Sequence, residues 1–257
     1  MDKQHLKKIS DGLLKTFIDA GEKSIKLREI GLKKEIKPDN TPVTNGDIEV
    51  NNILTKKIKN ITPDIPIVSE ESSSNKSNTE MNNFWLIDPI DGTYDYVNNK
   101  DEFTLNAALI INKKPELGII YAPAKKRLFY TYGFGSSFEL ADNKEIKLTC
   151  EKKTGQNEVK AVSYSENLKP VISELHKKFK VTDHTKMKSS LKFCVVATSE
   201  FDLYVAEPRA SEWDIAAGHA ILKNAGGIIT DFNGNEIFYG KKDFTNPSLI
   251  IKRGENL

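Results

Sequence analysis

Cysteine is almost absent from this chain: Cys150 and Cys194 are the only two in 257 residues. Two thiols at irregular spacing exclude a disulfide framework and a zinc site, and both are read as reduced residues in or near the core. An excess of one charge is missing too. Thirty-eight Lys and Arg against 36 Asp and Glu leave a formal +2, so no long-range field argues for a nucleic-acid polymer or a membrane surface as partner. A small anionic ligand remains open. No apolar run is long enough to span a bilayer, and the opening M-D-K-Q-H-L-K-K-I-S has no apolar signal core, so a cytoplasmic location is expected. Repeats and heptad arrays are also lacking. What is present is the composition of a soluble globular protein, 38% hydrophobic and 29% charged, in a length that allows one large domain or two small ones.

The most informative stretch is W-L-I-D-P-I-D-G-T, residues 85–93. An apolar strand from Phe84 to Ile87 is expected to end at Asp88, so that Asp88 and Asp91 emerge together on a turn. Pro89 fixes one dihedral there and Gly92 permits close approach of a ligand. Oxygen ligands of this kind suit Mg²⁺ or Ca²⁺. Thr93 is expected to cap the helical turn that follows, leaving the amides of Gly92 and Thr93 for an anion. Asp-Pro and Asp-Gly are also ordinary turn dipeptides, so a metal site needs further carboxylates at element ends.

Three such places occur. Asp47 lies in the first turn of a helix expected from about Thr44 to Ile61, where a simple cap is the competing reading. Glu70 and Glu71 follow a short apolar strand, Ile67-Val68, and a solvated loop start is the alternative there. Asp214 opens a small-residue helix, Trp213 to Asn224, in which Ala216, Ala217 and Gly218 permit close packing on a sheet. His219 in that helix reads as a packing residue.

The remaining pattern places these motifs. Leu6, Ile9, Leu13, Phe17 and Ala20 recur at helical spacing, and Ile25 and Leu27 carry that helix past Gly21. Lys33 to Thr44, polar and with two prolines, is expected to be a loop. Residues 72–83 are polar and of low complexity, the best candidate for a mobile flap. Strands at 103–111, 117–121, 127–132 and 137–140 with short connections indicate an antiparallel sheet flanked by the first two helices. Beyond residue 145 strands and helices alternate. The expected division is an N-terminal α+β domain over 1–145, carrying most of the candidate ligands, and a C-terminal α/β domain over 146–257 that completes the site.

Taken in order, Asp47, S-E-E-S at 69–72, D-P-I-D-G-T at 88–93 and W-D-I-A-A-G-H-A at 213–220 resemble the inositol monophosphatase superfamily over nearly the whole chain. That resemblance implies a layered αβαβα sandwich and a Mg²⁺-dependent, lithium-sensitive phosphomonoesterase. T-P-V-T-N-G-D-I (41–48), E-F-T-L-N-A-A-L-I (102–110), G-I-I-Y-A-P (118–123) and above all S-S-L-K-F-C (189–194) are similar to the bacterial CysQ-type 3'(2'),5'-bisphosphate nucleotidases. These hydrolyse 3'-phosphoadenosine 5'-phosphate, a by-product of sulfate activation, to AMP and phosphate. Inositol-1-phosphate or fructose-1,6-bisphosphate phosphatase is the alternative within the superfamily, and a non-catalytic phosphate- or metal-binding regulator the alternative outside it.

By this resemblance Glu70, Asp88, Asp91, the carbonyl of Ile90 and Asp214 hold two or three Mg²⁺ ions. Thr93 and Asp47 orient and help deprotonate the attacking water, with Glu70 and Asp91 also counted in the catalytic set. Gly92, Thr93, Asp214, Ser189 and Lys192 contact the small phosphorylated substrate. The chain departs from the family where a basic residue is expected in the turn after the strand at 159–162 and Tyr164 stands instead. It also carries D-G-T-Y-D-Y for D-G-T-K-E-F, and has Arg209 near the place of an arginine expected before W-D. Oligomeric state does not follow from any of these features.

Overall fold

In a computed structural model, every residue is described except 38–41, 73–75, 77–80, 143, 151–157, 209 and 256. The expected flap and Arg209 therefore lie largely or wholly outside the described residues. Helix α1 (Lys3–Ile30) is capped by the Asp2 side chain and runs through Gly21 without a break. Strands β1 (Lys34–Ile36) and β2 (Pro42–Thr44) form a two-stranded antiparallel ribbon where a plain loop is expected. The ladder is closed by backbone pairing alone, which an exposed, polar and proline-bearing stretch does not announce by side-chain alternation. Helix α2 (Asn45–Ile61) follows at once.

Strands β3 (Ile67–Ser69) and β4 (Phe84–Asp91) pair in parallel. Strand β4 continues past Ile87, through Asp88 and Pro89 to Asp91, with its register slipping between Asp88 and Asp91. The expected abrupt end is thus a bulge: Pro89 has no N–H for the ladder, and the extra residue re-aims the carboxylates instead of stopping the strand. After α3 (Thr93–Val97), the strands β5 (Thr104–Ile111), β6 (Lys114–Ala122), β7 (Arg127–Thr131), β8 (Ser137–Ala141) and β9 (Lys144–Lys147) extend the sheet in sequence order, all antiparallel.

The rest of the chain is β10 (Val159–Ser163), α4 (Pro170–Lys178), β11 (Val181–Lys186), α5 (Leu191–Ala197), β12 (Leu203–Ala206), α6 (Glu212–Asn224), β13 (Ile228–Thr230) and β14 (Leu249–Lys252). Its five strands are ordered β11-β10-β12-β14-β13. The first three of these run parallel, and β14 is antiparallel to both its neighbours.

Period-two alternation sorts the sheet faces. Trp85, Ile87, Leu105 and Leu109 pack on Leu13, Phe17 and Leu54 of α1 and α2. Phe84, Leu86, Ala108 and Ile110 pack on α5 and α6, whose other side meets Val162, Tyr204 and Ile251 of the five-stranded sheet. Beyond that sheet Ile172 of α4 covers Ala161, Leu203 and Val205. The order is helices, sheet, helices, sheet, helix, the αβαβα sandwich implied by the motifs. Close approach in the middle layer depends on glycine: a Cβ on Gly118 would lie 2.5 Å from the Ala217 carbonyl oxygen of α6, and one on Gly218 2.4 Å from the Phe193 ring of α5.

Candidate active site

The same alternation aims the acids. Val68 faces α5 and α6, so Glu70, two residues on, projects to that side. Leu86 does likewise, which places Asp88 there. Asp214 arrives from the facing helix, in the first turn of α6, where its carboxylate also accepts from the Ser211 backbone N–H at 2.8 Å and completes a capping box. Glu70, Asp88 and Asp214 each offer an oxygen within 4.8 Å of the others. Asp91 sits beyond the bulge, and one of its oxygens accepts from the Ser190 backbone N–H.

Four carboxylates this close repel unless something positive joins them. Burial pushes Asp88 well above the usual carboxylate range, and the charges of Glu70, Asp91 and Asp214 add to it. Asp214 is pushed up to about 8 by burial and by the charges of Asp91 and Glu70. Asp91 is raised by burial, opposed by the Lys192 ammonium and the Ser190 N–H. The buried Asp88 Oδ1 has no hydrogen-bond partner among the described residues. An orphaned carboxylate oxygen within an all-oxygen cluster fits a hard divalent cation, which would supply the missing positive partner.

Asp47 is fully buried and forms a capping box with Thr44. Its Oδ2 accepts from the Thr44 N–H at 2.8 Å and hydroxyl at 2.6 Å. That leaves Oδ1 facing the Thr93 hydroxyl, 3.4 Å away. The cap reading and the catalytic reading of Asp47 are therefore served by different oxygens of one carboxylate, whose pKa burial raises. Thr93 is not the cap of α3: Gly92 holds that position with φ +92°, and the Thr93 hydroxyl turns back to the Ile90 carbonyl at 3.1 Å. The left-handed conformation demanded at that point suits glycine, and it displaces the threonine into the first turn.

Lys37, beyond the last residue of β1, was not singled out in the sequence. Its ammonium lies 3.0 Å from Glu70 Oε1 and 2.7 Å from Glu71 Oε1. Burial and the nearby Glu70 charge still hold Glu71 at about 7 against that lysine. Asn106, opposite Asp88 in the sheet register, was missed as well; its Oδ1 accepts from the Ser190 hydroxyl at 2.8 Å. A polar residue in the middle of the apolar strand F-T-L-N-A-A-L-I was the available signal.

Ser189, Ser190, Lys192, Asp91 and Asp214 share the wall of one cavity of about 130 Å³. Lys192 is buried and donates to the Ser189 carbonyl, with its ammonium 5.3 Å from the Tyr204 ring centroid and 5.9 Å from that of Tyr164. Ser190 does not cap α5 with its side chain; its N–H and hydroxyl serve Asp91 and Asn106 instead. His219 is a packing residue, bonded to the Tyr239 hydroxyl at 2.9 Å. Among the described residues no helix is long and apolar enough to cross a membrane.

The inositol monophosphatase family model matches residues 2–256. The 3'(2'),5'-bisphosphate nucleotidase CysQ of Salmonella typhimurium is 34% identical over 228 residues, 84% of this chain and 87% of that protein. The crystal structure of CysQ from Bacteroides thetaiotaomicron, a bacterial member of the same family, has 28% identity and a TM-score of 0.77, covering 94% of this chain and 95% of that one. An IMPase/NADP phosphatase in complex with Mg²⁺ and phosphate shares the fold, with a TM-score of 0.79 at 20% identity over 96% of this chain and 91% of that one.

Proposed function

The chain belongs to the inositol monophosphatase family, and from that premise we propose that it is a Mg²⁺-dependent 3'(2'),5'-bisphosphate nucleotidase, converting 3'-phosphoadenosine 5'-phosphate to AMP and phosphate. The observation that carries this is a cluster of carboxylate oxygens, one of them, on buried Asp88, without a hydrogen-bond partner among the described residues, beside a cavity where the Lys192 ammonium lies near the Tyr164 and Tyr204 rings. Curated relatives with this activity at 34% identity over most of the chain support the substrate class.

In this reading Glu70, Asp88, Asp91, Asp214 and the Ile90 carbonyl hold two or three Mg²⁺ ions. Bound there, the ions draw charge from the phosphoryl oxygens, lower the pKa of a water and steady the leaving alkoxide. The chain's own residues do the rest. The Thr93 hydroxyl accepts a hydrogen bond from the attacking water and passes its own proton toward Asp47 Oδ1, the oxygen that Thr44 leaves available. Gly92 and Thr93 bind the phosphate being cleaved, while Ser189 and Lys192 orient the body of the substrate. Residues 1–145 and 146–257 act as two domains that meet at this cleft, Asp214 being the acid contributed by the second.

Phosphate release with Mg²⁺ from 3'-phosphoadenosine 5'-phosphate, inositol-1-phosphate and fructose-1,6-bisphosphate tests the proposal. A clear preference in kcat/KM for the nucleotide is expected. Equal or better hydrolysis of either base-free substrate overturns the substrate assignment, and no release from any of them overturns the reaction.

A further inference from the structure

The turn of residues 187–190, between β11 and α5, belongs to the second half of the chain but is held by side chains of the first. Asp91 accepts from the Ser190 backbone N–H. The Ser190 hydroxyl donates to Asn106 Oδ1 at 2.8 Å and lies 2.8 Å from the Thr104 hydroxyl. One further acid reaches the same turn. Glu102 Oε2 accepts from the Lys188 backbone N–H at 2.9 Å, across 86 residues of sequence. Two carboxylates therefore take the N–H groups on either side of Ser189.

Ser189 is the residue that such a grip serves. Its φ is +54°, in the left-handed region that a side chain with a Cβ rarely adopts. A turn in that state persists where its surroundings fix it from several sides. The Glu102 contact is made to backbone: the Lys188 ammonium points instead to the Tyr164 carbonyl at 3.0 Å, and Glu102 enters no ion pair among the described residues. Glu102 also abuts the other side of the cleft. Its carbonyl oxygen would lie 2.9 Å from a Cβ placed on Gly92. The main chain of one residue thus backs the turn assigned to the phosphate, while its side chain holds the turn that leads into Lys192.

We propose that Glu102 is a positioning residue for substrate binding: by holding the Lys188 N–H it sets Ser189 and Lys192 at a fixed separation from the Gly92–Thr93 turn, so that both ends of one substrate meet a preformed frame. A carboxylate on a backbone N–H is a charge-assisted bond, and a frame already in place spares the substrate the cost of ordering it. This rests on the nucleotidase reading above and adds a residue that touches neither the ions nor the substrate.

The test uses the full chain with saturating Mg²⁺ and compares KM for 3'-phosphoadenosine 5'-phosphate with the inhibition constant of inorganic phosphate, which is small enough to report on the Gly92–Thr93 end alone. Loss of a hydrogen bond to a charged group predicts that Glu102→Ala raises KM about tenfold, with kcat and the phosphate constant within about twofold of wild type. Glu102→Asp keeps the charge but is a methylene too short for the bond, and it raises KM as alanine does, which carries the test where the alanine variant does not fold. Glu102→Gln, whose amide oxygen still accepts, recovers most of the loss. An unchanged KM in the aspartate variant, a phosphate constant that rises in step with KM, or a glutamine variant as poor as the aspartate one overturns the inference and leaves the nucleotidase assignment standing. A wild-type enzyme that does not hydrolyse the nucleotide removes both.

Discussion

The Lys37 ammonium is 3.0 Å from Glu70 across 33 residues of sequence, and Glu70 belongs to the carboxylate cluster that a divalent ion would neutralise. Lysine and metal are therefore rival counter-charges for Glu70. With the ion away, the lysine compensates Glu70 and Glu71 together; with the ion present, its contribution is redundant.

Lys37→Met is accordingly expected to lower the melting temperature of the metal-free protein and to enlarge the rise produced by Mg²⁺. For a chain of this size about 1 kcal/mol corresponds to roughly 2–4 °C, so a change of that order is readable by thermal shift with and without Mg²⁺. An unaltered metal-free Tm, or a smaller Mg²⁺ response, contradicts the rivalry.

Asp88→Asn separates function from stability. Burial and the charges of Glu70, Asp91 and Asp214 favour the protonated form of Asp88 when no cation is present, and an asparagine stands in that place with no charge to acquire. Mg²⁺-dependent phosphate release should vanish, while the metal-free Tm should exceed that of wild type by more as pH rises, because one buried ionisable group is gone. The gain should shrink as pH falls, because burial raises the pKa of Asp88 and the wild-type carboxyl takes up its own proton. Retained turnover, or a metal-free Tm below wild type at high pH, counts against this account.

The direction of the pKa shifts sets a pH dependence. Asp214 is raised to about 8 and Asp88 and Asp91 are raised with it, against about 3.9 for an unfolded aspartate. The folded state thus binds more protons than the unfolded one in that window, and the metal-free protein loses stability as pH climbs from about 4 toward about 8. On the acid side His219, lowered to about 3 by burial, must be charged on unfolding, so its contribution is lost as pH falls below about 6.5. Cation binding needs ionised ligands, so Mg²⁺ uptake at about pH 7 should release protons, less so near pH 9. Calorimetry in buffers of different ionisation enthalpy measures this directly; proton uptake or no exchange at pH 7 is incompatible with the shifts.

Gly46 connects packing to the Asp47–Thr93 pair. A Cβ there would lie 2.3 Å from the Tyr96 hydroxyl, itself anchored to the Ser24 carbonyl at 2.7 Å. Gly46→Ala should shift the start of α2 and lower kcat by up to about 10²-fold, the effect of misplacing a reacting group by about 1 Å. Adding Tyr96→Phe should restore part of the loss. An alanine variant with wild-type kcat shows that this contact does not place Asp47.

Much of this was legible in the sequence because it is local. The capping pattern at Thr44–Asp47, the strand preceding Glu70 and the first turn holding Asp214 each follow from residues within a few positions of one another. The contacts that remained hidden are long-range and partly carried by backbone. The Ser190 N–H that binds Asp91 is 99 residues away, and any residue but proline could supply it. Lys37 is one of many lysines until the ribbon of β1 and β2 exists to carry it to Glu70. The bulge at Asp88–Asp91 reads as a strand end in the sequence because proline and glycine signal an interruption without saying whether pairing resumes. Tyr164 reads only as a departure from the family, since sequence does not reveal which side chains line a cavity.

Helix α6 lies between the two sheets, with Gly118 and Gly218 letting it sink to backbone distance from its neighbours. Its first turn holds the last of the acids to be synthesised. A nascent chain that has laid down the whole seven-stranded sheet still lacks Asp214, and a fragment ending there would present an open rim of acids with no fourth wall. At the proposed site, ion capture thereby becomes a late step, waiting on the helix that carries Asp214.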